Sequence, residues 1–387
     1  NRFGQVKRAM HGLRLLDFDE MRRAYGRTFV DLGEPRWIFL NTLFSHSESC
    51  MFTQYVERLD AGHLPGVMGY GELYDRIKGS LDREHMAGRL KGEIIADPDR
   101  YVVADPELPG ALLDLKDAGK RLLLVTNSEW HYTQAMMAYA FDCWLPAGTT
   151  WRDLFDVVIV SARKPDFFSA RQPLFEVADD AGLLRPCVDG LHAGGVFLGG
   201  DAAQVESYLG AAGEEILYVG DHVFSDVHVS KSLLRWRTCL ILRELEDEIE
   251  ALSAFRDHET RIQALMDEKS GLEAEHARLR LSLLRRHHGR EDRGSGPTDE
   301  TIKSRLAELR DALEVNDQAV APLARASSEV GNPTWGPMLR SGNEKSHLAH
   351  QVERYADLYT SRVANFLYAT PFYYGRSVRG TLPHDPL

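Results

Sequence analysis

Four short apolar runs, each bounded by polar turn residues, most narrow what this chain can fold into. They occupy 121–125, 157–160, 216–219 and 238–242. A run such as Val157-Val158-Ile159-Val160 shows no polar alternation. That pattern suits a strand buried on both faces, as in a parallel sheet. Helical patterns separate the runs at several points, and strands alternating with helices argue for an α/β fold with a doubly wound parallel sheet.

The rest of the chain is mostly helical. Upstream, 20–29, 37–59 and 73–90 carry apolar residues at three- and four-residue spacing, and 112–118 adds a helix before the first strand. Downstream, 243–325 is charged and helical, and the polar stretch His287 to Thr298 breaks it into two long helices. An antiparallel hairpin serving as a solvated arm is the expected result. A further helix is predicted over 346–370, followed by a loose tail. The expected organisation is an entry segment at 1–34, a helical lobe at 35–107, the α/β core at 108–242, the hairpin arm at 243–325, and a C-terminal helix and tail on the core at 326–387. A chain of 387 residues exceeds one compact core, which agrees with several lobes. Asn1-Arg2-Phe3-Gly4 reads as a turn inside a protein, so the natural chain is expected to start well upstream.

Charge and cysteine usage exclude some classes. A formal net charge of -12 gives no overall attraction for nucleic acid or anionic membranes. No apolar run is long enough to span a bilayer. Cys50, Cys143, Cys187 and Cys239 are scattered without a CxxC pair, which suits a reducing cytosol better than a disulfide framework or zinc site.

Three candidate functional segments follow predicted strands, where open α/β sheets place their ligands. In Val125-Thr126-Asn127-Ser128, a hydroxyl and an amide can bind a phosphoryl oxygen, or Asn127 or Ser128 can simply cap the next helix. In Ala162-Arg163-Lys164-Pro165, Lys164 can neutralise a phosphoryl group, or be an ordinary loop lysine. In Gly220-Asp221-His222-Val223-Phe224-Ser225-Asp226, two carboxylates follow an apolar strand. Mg²⁺ prefers such oxygens, although a capped loop would also use them.

Taken in order, T-N, K-P and GDxxxxD match motifs two, three and four of the haloacid dehalogenase superfamily. The chain further resembles the cytosolic IMP/GMP-preferring 5′-nucleotidases. The resemblance rests on Asn1-Arg2-Phe3-Gly4 through Ala9-Met10-His11-Gly12, Leu40-Asn41-Thr42-Leu43-Phe44, Arg100-Tyr101-Val102-Val103, the three segments above, and Gln351-Val352-Glu353-Arg354-Tyr355-Ala356-Asp357-Leu358-Tyr359. These stretches span nearly the whole chain.

The resemblance implies Mg²⁺-dependent hydrolysis of purine nucleoside 5′-monophosphates through an aspartyl-phosphate, with transfer to a second nucleoside open to the same intermediate. It implies that Thr126 and Asn127 hold the phosphoryl group with Ser128 beside them, that Lys164 balances its charge, that Asp221 binds Mg²⁺, and that Asp226 orients the loop and Lys164. The lobe at 35–107 resembles the family's cap. There Phe44 matches the aromatic that stacks on the purine, or is plain core. Asp82, His85 and Lys91 match residues near base and sugar, and Lys78 stands where the family uses arginine, which weakens bidentate base recognition. Gln351, Arg354 and Tyr355, with Asn41 and Phe224, match an effector-nucleotide pocket. A homo-oligomer is expected.

The sequence departs from the superfamily at its first motif, DxDx(T/V), whose first Asp is the nucleophile. Asp17-Phe18-Asp19 is followed by Glu20-Met21, with no Thr or Val. A helix cap at Asp19 is the better reading. The nucleophile is therefore expected outside 1–387 and the N-terminal part of the core to be missing from it, so that 1–387 alone should not turn over IMP. A catalytically inactive nucleotide-binding homologue, or a phosphatase for another ester, are the rivals.

Overall fold

The computed structural model describes residues 4–40, 45–290, 296–332, 334–342 and 344–373. The chain divides into two units, one of 244–346 and one of 2–243 with 347–387.

The larger unit is the α/β part. Besides a two-stranded pair at Met10–His11 and Arg14–Leu15, its described strands are β1 (Leu123–Val125), β2 (Val157–Val160), β3 (Leu174–Val177), β4 (Leu184–Pro186), β5 (Gly195–Gly199), β6 (Leu217–Gly220), β7 (Arg237–Ile241) and β8 (Leu358–Thr360). They form two sheets, one ordered β1-β2-β5-β3-β4 and one ordered β8-β7-β6. β1, β2 and β5 run parallel, as do β6, β7 and β8. All four apolar runs are therefore strands with parallel partners.

The wholly parallel sheet is corrected at one end, where β3 runs antiparallel to both β4 and β5. The connection from β3 to β4, residues 178–183, is too short for a crossover and reaches only an antiparallel neighbour. β1 and β6 are each edge strands, with one partner apiece among the described residues.

The pleat explains the unbroken apolar run of β2. Val157 and Ile159 face one core layer with Phe167, Phe197, Tyr218 and Trp236. Val158 and Val160 face the other, with Trp130, Trp151 and Leu154. Both faces are covered, so every position must be apolar. Each such side chain contributes about 1.5–3 kcal/mol relative to exposure. Tyr218 lies on β6, so the first layer underlies both sheets.

Helices His46–Asp60, Tyr70–Met86, Arg89–Ala96 and Pro98–Tyr101 fill the lobe upstream of the sheet. Val56, Leu73 and Ile77 form its small core. The helix predicted from 37 begins only at His46, and the one predicted through 90 breaks at Gly88, which has a left-handed φ of 70°. The helix predicted over 346–370 stops at Tyr355. Asp357 there accepts hydrogen bonds from Lys231 (2.6 Å) and the Thr238 N–H (2.9 Å), which steers Leu358–Thr360 into the sheet as β8.

Asp17, not Asp19, caps the first helix, Phe18–Tyr25. Its carboxylate accepts from the Glu20 N–H (2.8 Å), and Glu20 accepts in return from the Asp17 N–H (3.0 Å).

In the smaller unit, Arg256–His287 and Asp299–Ser327 form an antiparallel pair. Lys269–Asp317 (2.6 Å) and Arg305–Glu275 (2.8 Å) bridge it, and Leu265, Ile302, Leu306 and Leu309 are buried. Buried Asn316 donates to the Leu265 carbonyl (3.0 Å), which pins the register of the two helices. Among the described residues, no helix is long and apolar enough to cross a membrane.

Candidate active site at the strand ends

Three loops leave the ends of parallel strands, and side chains lock them to one another. After β1, the Thr126 N–H donates to the Ile159 carbonyl (2.9 Å), continuing the ladder by one residue. The Thr126 hydroxyl accepts from the Ser128 N–H (3.1 Å), folding the loop into a tight hydroxyl-capped turn. The next loop is tied to this one through its backbone. The Ser161 N–H meets the Ser128 carbonyl (2.8 Å), and the Ala162 N–H meets the Thr126 carbonyl (3.0 Å). Ser161 and Arg163 are held at left-handed φ of 48° and 57°, a region that costs a non-glycine residue roughly 1–2 kcal/mol.

Asn127 completes the tie. Its Oδ1 accepts from the Lys164 N–H (2.6 Å) and its Nδ2 donates to the Lys164 carbonyl (3.1 Å). Those bonds occupy the amide with the backbone of Lys164. In this geometry Asn127 places the lysine.

The loop after β6 supplies the counter-charge. Asp226 is 2% exposed and folds back under the strand end. A Cβ on Gly220 would stand 2.6 Å from the Asp226 Cβ, so glycine is required for the approach. Asp226 Oδ2 accepts from the His222 N–H (3.2 Å), and Oδ1 lies 2.9 Å from the Lys164 ammonium. The same ammonium donates to the Tyr218 hydroxyl (3.0 Å), which donates to Asp226 Oδ1 (3.3 Å). Burial, and then the negative charge of Asp226, push the Tyr218 phenol well above its ordinary range, so it remains a donor to that carboxylate. His222 Nδ1 accepts from the N–H groups of Phe224 and Ser225 and so opens the following helical turn.

Asp221 is exposed at the strand end, and its carboxylate has no hydrogen-bond partner among the described residues. A lone carboxylate suits Mg²⁺, which keeps several waters and takes one or two carboxylates beside phosphate oxygens. No group of three His, Cys, Asp or Glu gathers with metal-site geometry among the described residues.

The lobe contributes one visible link. Lys91 reaches Glu129 (2.5 Å), the residue after Ser128, and lies 5.2 Å from the Tyr132 ring centroid. The hydrogen bond from Lys91 holds the Glu129 carboxyl below its usual range. Lys78 lies 3.7 Å from Glu48, a buried carboxylate that also takes the Tyr74 hydroxyl. Asp82 is exposed and His85 half-buried on the same helix. Asn41 and Phe44 fall outside the described residues.

The expected effector residues cluster elsewhere. The Phe224 and His228 rings meet tilted (centroids 5.3 Å apart), as do those of His228 and Tyr355 (4.2 Å), and Arg354 lies over Tyr355 (5.3 Å). Gln351 is held one turn away by His347 (3.3 Å). Burial and the neighbouring Arg354 lower the pKa of His228.

A sequence model of the 5′-nucleotidase family matches residues 1–387. The chain belongs to the 5′-nucleotidase family. One curated relative is a 5′-nucleotidase domain-containing protein of Dictyostelium discoideum, 25% identical over 373 residues, covering 92% of this chain. The chain spans 56% of that relative's length, about half.

Several residues of this arrangement gave no signal in the sequence. Tyr218 sits in an apolar strand and reads as core. Glu129 stands at the N-cap of Trp130–Phe141, yet its side chain makes no cap bond and points to a lysine 38 positions away. His228 lies two residues beyond the segment singled out for Asp221 and Asp226.

Proposed function

We propose that the complete protein hydrolyses purine nucleoside 5′-monophosphates, IMP and GMP first, with Mg²⁺. The observation that carries this reading is the Lys164–Asp226 pair (2.9 Å), set by Asn127 beside the Thr126 turn. A buried, oriented ammonium next to a turn that carries two hydroxyls suits a transferring phosphoryl group. Thr126 and Ser128 would bind its oxygens, and Lys164 would neutralise charge as it develops. Asp221 would hold Mg²⁺, which when bound polarises the phosphoryl group. The nucleophile would be an aspartate, forming an aspartyl-phosphate that water then hydrolyses. Transfer to a second nucleoside would use the same intermediate.

Phe44, Lys78, Asp82, His85 and Lys91 would order the nucleoside. Phe224, Gln351, Arg354 and Tyr355, with Asn41, would take an effector nucleotide. The protein would work in the cytoplasm as a homo-oligomer.

A second reading, a nucleotide-binding homologue without catalysis, is favoured by one observation. The candidate first motif at Asp17 and Asp19 is a helix cap. A panel of IMP, GMP, AMP, UMP and sugar phosphates, with Mg²⁺ and with chelator, tests the proposal on the complete protein. IMP and GMP should lead, and chelator should abolish turnover. Tight IMP binding with no release of phosphate would establish the second reading.

A further inference from the structure

The Tyr218 hydroxyl adds a function that nothing in the motifs assigns. A lysine ammonium has three donors and a flexible four-carbon stem. Lys164 spends one donor on Asp226 Oδ1 (2.9 Å) and a second on Tyr218 Oη (3.0 Å). Tyr218 closes the ring by donating to the same Oδ1 (3.3 Å). With two directions fixed, tetrahedral geometry leaves one direction for the third N–H. A single bond to Asp226 would leave the ammonium free to rotate about it.

The ring of Tyr218 is itself immobile. It is 9% exposed and packs edge-on against Phe168 (5.1 Å, 88°) and beside Trp236 (6.2 Å). The hydroxyl is therefore presented from the rigid core layer beneath both sheets, rather than from a loop.

We propose that Tyr218 is a positioning residue that aims the third Lys164 N–H at the phosphoryl group. This rests on the phosphoryl-transfer reading of the site. The substitution Tyr218→Phe keeps the ring and its contacts and removes only the oxygen. In the complete protein it should lower kcat for IMP by about tenfold or more, since misaimed catalytic groups lose up to about a hundredfold. KM should stay within about twofold and Tm within a few degrees. Binding of orthovanadate, a five-coordinate phosphoryl mimic, should weaken by a similar factor in calorimetry. In a Lys164→Met background, Tyr218→Phe should weaken vanadate binding no further.

A kcat and vanadate affinity within twofold of wild type would overturn the proposal. So would an equal vanadate loss in the Lys164→Met background. A Tyr218→Phe chain that does not fold would show that the hydroxyl serves the core, and would overturn it too. Failure of the substrate reading looks different. A wild type inert towards purine nucleotides, but with Tyr218-dependent vanadate binding, would sink that reading and leave Tyr218 in its role.

Discussion

The strand-end loops and the upstream helical lobe both offer charged side chains to a ligand, but they hold them differently. At the strand ends, Lys164 is fixed by its own backbone through Asn127 and by its ammonium through Asp226 and Tyr218. Its counter-ion is 2% exposed. On the lobe, Lys91 has one exposed carboxylate partner, Lys78 has Glu48 at 3.7 Å, and Asp82 lies in solvent. The first arrangement is pre-organised, as charge stabilisation in a transition state demands. On the proposed reading the second would be ordered by the ligand it meets, and its contribution is expected mainly in binding. Chemistry and recognition would then sit on elements of different rigidity.

That contrast can be broken by substitution. The largest effect is expected at Asp221. Asp221→Asn should remove Mg²⁺-dependent turnover in the complete protein, a fall of at least about a hundredfold, the scale of losing one preorganised electrostatic contact. Activity within threefold of wild type would take Asp221 out of the site.

Next is the buried ion pair. Asp226→Ala leaves the Lys164 ammonium without its counter-ion at 14% exposure. Breaking such a pair costs roughly 3–5 kcal/mol, so chemical denaturation should show a drop of that order. A loss below about 1 kcal/mol would mean that water already screens the pair, and that the rigidity argued for the strand ends is absent.

On the recognition side, Phe44→Ala should raise KM for IMP with kcat largely kept, since stacking on a base is worth about 1–3 kcal/mol. An unchanged KM with a much lower Tm would instead make Phe44 core. Glu129→Gln should act more weakly, because an exposed pair is worth at most about 1 kcal/mol. KM should shift by less than about fivefold, and raising salt should shrink the difference between variant and wild type. A salt-independent effect on kcat would place Glu129 with the rigid group.

The smallest effect is expected at Asp17. Asn caps a helix about as well as Asp, so Asp17→Asn should alter stability by no more than a few tenths of a kcal/mol and leave kcat unchanged. A thousandfold loss would make Asp17 the nucleophile and overturn its reading as a cap.

How far the sequence speaks depends on which physical signal each residue carries. The runs that became β1, β2, β6 and β7 were readable because strands covered on both faces must be apolar throughout. The long helices of 244–346 were readable from their periodicity and from the polar break between them. β3 and β4 were not, because their cross-strand pair Glu176–Arg185 (2.8 Å) puts charge where a strand pattern expects apolar residues. β8 was read as helix, since only the partners of Asp357, some 120 positions earlier in the chain, divert it into the sheet.

The site divides along the same line. Lys164 and Asp226 were legible only jointly, as parts of the ordered T-N, K-P and GDxxxxD set, because each alone also reads as an ordinary loop residue. That Asn127 grips the Lys164 backbone, that Gly220 makes room for Asp226, and that Tyr218 closes the ring were decided only by the tertiary structure. Local sequence fixes which groups a segment presents and whether its faces are buried. Whether a hydroxyl lies 3.0 Å from an ammonium 54 residues away depends on how two sheets settle on one core layer, and that packing is a property of the whole fold.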